Sequence, residues 1–179
     1  MSQVKAGEVQ KLGLLYERHK KALYGFFYKM CRSASVSEDL VQNVFTNILK
    51  SKHTFGGHGK FITWMYHIAR NVLHDHYRKH KHEQQHVTTE HAPELADGLD
   101  LEHKFEAELT IDQLFQAIEL LNQEQREILM MSRFENLKYQ QIAEILGCSE
   151  GAVKMKVRRT LIALRDQFNR IQTGAADVA

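Results

Sequence analysis

Four cations fall within six positions near the end of the chain: Lys154, Lys156, Arg158 and Arg159, with Met155 among them. At that density ammonium and guanidinium groups bind phosphates. An arginine fork also matches the paired acceptors of a guanine edge, and a methionine can pack on a thymine methyl. A second group lies earlier, where Lys60, Trp64, Arg70, Asn71, Asp75 and Arg78 recur at helical spacing. There the cations suit phosphates, the aromatic face suits an unpaired base, and the amide and carboxylate suit base edges. A third group is rich in histidine: ten of the eleven lie between His53 and His103. His76 with His80, or His82 with His86, stand four apart and could ligate zinc on a helix face. No cysteine is near them and acids are few, so no metal site is expected. There is no glycine-rich phosphate loop, nucleophile motif or paired-carboxylate signature. The chemistry on offer is binding, not bond-making; an enzyme is not expected, nor is any cofactor.

These groups need helices to carry them. The chain has one proline, Pro93, and few strand-like runs. Apolar residues from Leu12 to Met30 recur at three- and four-residue steps and predict a helix. After a polar break at 32–36, Ser37 is placed to cap a second helix, with Glu38 and Asp39 in its first turn. The stretch 51–59 holds Gly56, Gly57 and Gly59 and reads as a loop. A long helix is predicted from Phe61 to Lys81, with Phe61, Met65, Ile68, Val72 and Leu73 inward. Trp64 and Tyr66 could be strand-binding aromatics or plain core residues. Residues 84–100 have no sustained period and read as a linker. From Leu101 the helical period returns, with Leu109, Leu114, Phe115, Ile118 and Leu121 on one stripe. Asn122 with Gln125 forms a capping-box pattern opening a helix through Phe134. Two further helices, about 138–146 and 150–168, are joined by Gly147-Cys148-Ser149. The tail 173–179 is small and polar and is expected to fray.

The join at 147–149 has a clear logic. Ala143 is small enough for a second helix to cross closely. Gly147 can adopt the left-handed conformation that ends a helix, and Ser149 can cap the next. Ile142, Ile145, Leu146, Val153, Val157 and Leu161 would close a small core. Glu150, Lys154, Met155, Arg158 and Arg159 then face outward, as in a helix-turn-helix entering a major groove.

The chain's 179 residues carry 24 Lys and Arg against 22 Asp and Glu, a net charge of +2 that argues against a nucleic-acid partner. The distribution reverses that reading. Residues 1–90 carry +7, residues 91–135 carry −8 and residues 136–179 carry +3. An acidic segment between two basic ones would limit DNA binding by the free chain. Two cysteines, Cys31 and Cys148, make no disulfide framework, which fits a reducing interior. No run of about 18 apolar residues exists, so membrane insertion is not expected and a cytoplasmic setting is.

Two blocks together carry a resemblance. The first is Glu38-Asp39-Leu40-Val41-Gln42-Asn43-Val44-Phe45, followed by the run from Phe61 to Val72 and then Asp75 and Arg78. The second is the helix-turn-helix, preceded by Leu121 to Phe134. In order and spacing the chain resembles an extracytoplasmic-function sigma factor of the sigma-70 class. The resemblance implies an all-α fold of two small helical domains joined by a flexible linker: sigma region 2 at 10–82, an acidic linker at 83–108, and sigma region 4 at 109–170. It implies a core RNA polymerase partner, met at its clamp coiled coil and flap, together with promoter DNA and an anti-sigma factor. Asp39, Gln42 and Asn43 would face the polymerase. The loop His53–Gly59, with Phe55, would capture a flipped base of the minus-ten element. Lys60, Trp64, Arg70, Asn71, Asp75 and Arg78 would contact the melted or adjoining DNA. Tyr139, Lys154, Met155, Arg158 and Arg159 would read the minus-thirty-five element. The linker would run through the polymerase interior near the RNA exit path.

Three positions depart from the family pattern. Lys138 stands where Ser or Thr usually opens the first helix of the motif, a loss of a capping oxygen worth about 1 kcal/mol. Met155 replaces a small hydroxyl residue, and Ala152 replaces the usual Thr. The alternative is a stand-alone helix-turn-helix regulator, which would account for residues 136–170 but leave the first block unexplained.

Overall fold

The computed structural model describes residues 1–57, 60–80 and 101–176, with the side chains of 101–109 and 174–176 excepted. All regular structure among these residues is helical. A short helix α1 (Ser2–Lys5) and a 3-10 turn (Val9–Lys11) lead into α2 (Leu12–Cys31). Helix α2 ends on Arg32 in the left-handed region, φ 53°. Helix α3 (Ala34–Lys50) then starts earlier than its pattern predicts. Its cap is Ser33, whose hydroxyl accepts from the Val36 amide at 3.4 Å. Ser37 is wholly buried inside the first turn, donating its hydroxyl to the Ser33 carbonyl at 2.6 Å. Two serines four apart both fit a cap; the left-handed Arg32 turns the chain one helical turn sooner and decides for the first. Glu38 and Asp39 consequently sit in the second turn, too far in to complement the helix dipole.

Within the loop before α4, residues Lys52–Thr54 form a single 3-10 turn. Helix α4 runs Phe61–His80, as its period predicts. Its inward stripe closes on Phe26, Phe27 and Met30 of α2 and on Leu40, Val44 and Ile48 of α3. The linker residues 81–100, with the proline and with His82 and His86, lie outside the described residues.

The second half opens with α5 (Leu101–Glu119), where the apolar period returns. Ile118 and Leu121 are buried, while Leu114 is 37% exposed. Helix α6 (Gln123–Leu129) carries the expected capping box: the Gln125 amide donates to the Asn122 side chain at 2.9 Å, and the Asn122 amide to that of Gln125 at 3.1 Å. It continues into a π-helical turn, Met130–Phe134. Helices α7 (Tyr139–Leu146) and α8 (Glu150–Ala176) follow. Helix α8 outlasts its expected end near Phe168. The polar residues there do not break a helix, and the Thr173 hydroxyl donates back to the Asn169 carbonyl at 2.6 Å. Helix α8 packs along α5, α6 and α7.

The two halves share one core rather than standing apart. The Gln141 amide side chain donates to the Thr63 hydroxyl at 3.2 Å. Arg32 lies 4.9 Å over the Phe115 ring and pairs with Glu119 at 3.1 Å. Tyr66, 1% exposed and edge-on to Phe26, donates its hydroxyl to the Glu135 carboxylate. Of the two readings for Tyr66, the core one holds.

Burial pushes the Glu135 carboxyl above its usual range, against the opposing pull of the Tyr66 hydroxyl and the Lys29 ammonium. A raised acid in the folded state binds its proton more tightly than the unfolded chain does. Its contribution is therefore full below the unfolded value of 4.5 and is lost as pH rises through the folded one. Wild type should gain stability relative to Glu135→Gln as pH falls from neutral toward 4.5. Urea unfolding of both proteins across that range checks this; a gap that does not change with pH contradicts it.

Candidate nucleic-acid interface

The helix-turn-helix is built as its sequence indicates. Gly147 ends α7 at φ 64°, and Ser149 caps α8 by accepting from the Ala152 amide at 3.2 Å. Lys138 offers no oxygen to cap α7, yet half of a capping box survives: its amide donates to the Gln141 side chain at 3.0 Å. Ile142, Ile145, Val153 and Val157 are buried, with Ala143 at the crossing; Leu146 and Leu161 are half-buried. This leaves Glu150, Lys154, Met155, Arg158 and Arg159 exposed on one side of α8. Lys154 is held by Glu150 at 2.9 Å, an exposed pair of small energetic weight. Lys156 turns aside and pairs with Glu124 of α6.

Beside this face lies an open groove of about 670 Å³ lined by Arg133, Tyr139, Lys154, Arg158 and Arg165, among others. Arg133 and Arg165 extend the cationic surface beyond the predicted residues. The seven-residue step from Arg158 to Arg165 could have disclosed one of them. Arg133 arrives through the π-helical turn, which no local pattern announces.

On α4 the predicted residues divide. Lys60, Asn71, Asp75 and Arg78 are exposed, with Arg78 paired to Asp75 at 3.0 Å. Trp64 is half-buried. The structure corrects the expectation for Phe55: its ring is 7% exposed, lying 5.3 Å from Trp64 and 6.3 Å from Phe61. Three aromatics bury more apolar surface by clustering than by standing in water, so the loop offers backbone there rather than a ring. Arg70 is half-buried and turned toward the second half of the chain. On α3, Asp39, Gln42 and Asn43 are all exposed, beside a groove lined by Tyr16, Lys20, Tyr24 and Val41.

His76 and His80 stack with ring centroids 4.4 Å apart, and a ring nitrogen of His80 meets the His76 carbonyl at 3.0 Å. Among the described residues no three candidate metal ligands converge, and no helix is long and apolar enough to cross a membrane.

The sequence model of Sigma-70 region 2 matches residues 15–83, and that of Sigma-70, region 4 matches residues 111–164. The chain belongs to the sigma-70 family. The extracytoplasmic-function RNA polymerase sigma factor SigX of Bacillus subtilis is 28% identical over 173 residues, covering 92% of this chain and 87% of SigX. RNA polymerase sigma factor CarQ of Myxococcus xanthus is 25% identical over 169 residues, covering 90% and 91%. The fold is that of CnrH in its complex with the cytosolic domain of CnrY, with a TM-score of 0.71 at 20% identity over 94% of each chain. It is also that of the sigma factor RpoE from Bartonella quintana in complex with the anti-sigma factor NepR, with a TM-score of 0.67 at 23% identity over 89% and 95%. This sigma factor is thus of the extracytoplasmic-function type, and its role is promoter-specific transcription initiation.

Where the two regions of the sigma factor meet, one carboxylate organises the contact. Glu127 of α6 is 1% exposed. It accepts from Arg70 Nε at 2.8 Å and from Gln123 Nε2 at 2.9 Å, and it meets His74 Nε2 at 2.6 Å. The Nε of Arg70 is thereby engaged, while the rest of its side chain stays 27% exposed. Sequence reading missed this residue, although a lone acid directly before Ile128-Leu129-Met130-Met131 was a signal. Glu127→Gln should lower stability by about 1–3 kcal/mol in urea unfolding, because the buried site loses its charge-assisted bonds. Glu150→Gln, which breaks an exposed pair, should change it by less than about 0.5 kcal/mol. Equal effects would show that the buried pair has no special weight.

Proposed function

We propose that this sigma factor divides the promoter between its two regions. Helix α8 enters the major groove of the minus-thirty-five element, with Lys154, Met155, Arg158 and Arg159 on bases and phosphates and Tyr139 beside them. The loop before α4, with Lys60, Trp64, Arg70, Asn71, Asp75 and Arg78, handles the minus-ten element and helps open it. Protein contacts to unpaired bases compensate for lost stacking, worth a few kcal/mol per base. Asp39, Gln42 and Asn43 bind the clamp of core polymerase, and the flap takes region 4. Joining two weak DNA sites through one polymerase raises each one's effective concentration for the other.

The observation that carries this reading is the division of α8. Val153, Val157 and Thr160 are buried, while Lys154, Met155, Arg158 and Arg159 are exposed. Such a helix presents a continuous polar face of groove-reading residues without disturbing its own core. The compact arrangement shared with CnrH and with RpoE, the latter a sigma factor solved with an anti-sigma factor, supports an anti-sigma partner that binds this chain in the cytoplasm.

Reconstitution with sigma-free core polymerase and a promoter library tests the reading. Selective initiation at one promoter class is expected; a chain that binds duplex DNA but never loads the polymerase would be a stand-alone regulator instead. Arg158→Ala or Arg159→Ala should weaken use of the upstream element by about 1–3 kcal/mol. Unchanged promoter selection in both would refute the placement of α8. Asn71→Ala should slow opening, seen with a fluorescent base analogue, more than it weakens polymerase binding. Equal loss of both would remove that residue's assigned role.

A further inference from the structure

Val4 lies in a polar stretch at the start of the sequence, yet it is completely buried. Next to it, Lys5 reaches fifty residues along the chain: its Nζ donates to the Phe55 carbonyl at 2.7 Å in a partly buried setting. Helix α1 packs against the turn Lys52–Thr54 that opens the loop between α3 and α4. A segment with no apolar period of its own is therefore docked under the loop assigned to base capture.

The loop is restrained unevenly. Its entry is tied to α3: the Ser51 hydroxyl donates to the Asn47 carbonyl at 2.5 Å, and the Thr54 hydroxyl to that of Ser51 at 2.8 Å. Its exit is Gly56-Gly57, with Gly57 at φ 75°. An added Cβ on either would meet nothing within 4 Å. Two glycines in open space have the widest choice of backbone directions. Phe55 stands between the two regimes. Its ring is fixed by Trp64 and Phe61, and its carbonyl, the last fixed point before the glycines, is fixed by Lys5. A hydrogen bond from a charged donor is about twice as strong as a neutral one, and here its accepting residue is buried although Lys5 itself is exposed.

We propose that Lys5, seated by Val4, is a positioning residue for minus-ten recognition. It fixes the Phe55 peptide and with it the direction in which the glycine pair leaves toward the separated strand. The proposal rests on the reading of this loop as the one that captures a base. Lys5 does not touch DNA in this role; it reduces the number of loop conformations that a flipped base must select among, so that less ordering remains for the binding step.

The test uses the full chain assembled with core polymerase and four variants: Lys5→Met, Lys5→Arg, a deletion of residues 1–7, and His53→Ala in the exposed part of the loop. Core affinity, opening reported by a base analogue in the minus-ten strand, and discrimination between matched and mismatched bases there are measured for each. Lys5→Met should leave core affinity unchanged, lower opening about tenfold and reduce discrimination, the expected consequence of losing one charge-assisted bond. Lys5→Arg should restore both, and deletion of residues 1–7 should reproduce the Lys5→Met defect. If His53→Ala impairs opening but Lys5→Met and the deletion do not, the role of Lys5 is wrong while the loop reading stands. If His53→Ala has no effect on opening or discrimination, the loop reading itself fails. A Lys5→Met defect that falls equally on core affinity would mark a general structural role and overturn the proposal.

Discussion

A carboxylate removed from water must find donors or abandon its charge, and Glu127 meets that constraint with residues from two regions of the chain. Gln123 comes from its own helix, one turn earlier, but Arg70 and His74 come from α4. The carboxylate therefore fixes α6 against α4 more tightly than apolar contact alone could, because apolar faces slide and a set of aimed donors does not. Thr63 with Gln141 and Tyr66 with Glu135 extend the same seam along α4. Positions 63, 66, 70 and 74 follow one another at three- and four-residue steps, so one stripe of α4 carries this seam, and Arg32 adds a second link through Phe115 and Glu119.

The charge pattern takes on a different meaning in this light. The segment 91–135 reads in sequence as acidic charge that would limit DNA binding by the free chain. Four of its acids instead meet groups inside the molecule: Glu119 pairs with Arg32, Glu124 with Lys156, Glu127 with Arg70 and His74, and Glu135 accepts from Tyr66. Three of these join the first basic part of the chain to the second half. The near-neutral total is thus partly a record of complementary surfaces that meet, and screening by salt will touch the exposed pairs far more than the buried one.

What could be read from the sequence was local. Gly147 with Ser149, and Asn122 with Gln125, place their caps within three residues, so the pattern contains the whole interaction. The exposed face of α8 followed from periodicity alone. What could not be read was set by distance along the chain. Arg70 and Glu127 are 57 positions apart, Tyr66 and Glu135 are 69, and Lys5 and Phe55 are 50. Nothing in the neighbourhood of Lys5 distinguishes a loop-holding cation from a solvated one. The choice between Ser33 and Ser37 failed for an intermediate reason: both fit locally, and the left-handed turn at Arg32 decided between them. Phe55 was misplaced because an aromatic in a glycine-rich loop looks available until Trp64 and Phe61 are seen beside it.

Helices α4 and α8, the two assigned to DNA in the proposed function, are therefore not equivalent in this arrangement. Among the described residues no exposed cation of α8 has an ion pair across the seam, and Lys154 pairs with Glu150 of its own helix. The cations of α4 divide, with Lys60 and Arg78 outward and Arg70 engaged. If a phosphate draws Nε of Arg70 away, Glu127 loses a charged donor and keeps Gln123 and His74. An uncompensated buried carboxylate is costly, commonly by several kcal/mol. A contact that drew Nε of Arg70 away would therefore weaken the hold of α6 on α4. Whatever separates α6 from α4 bears directly on Arg70 and not on the cations of α8, which are exposed already.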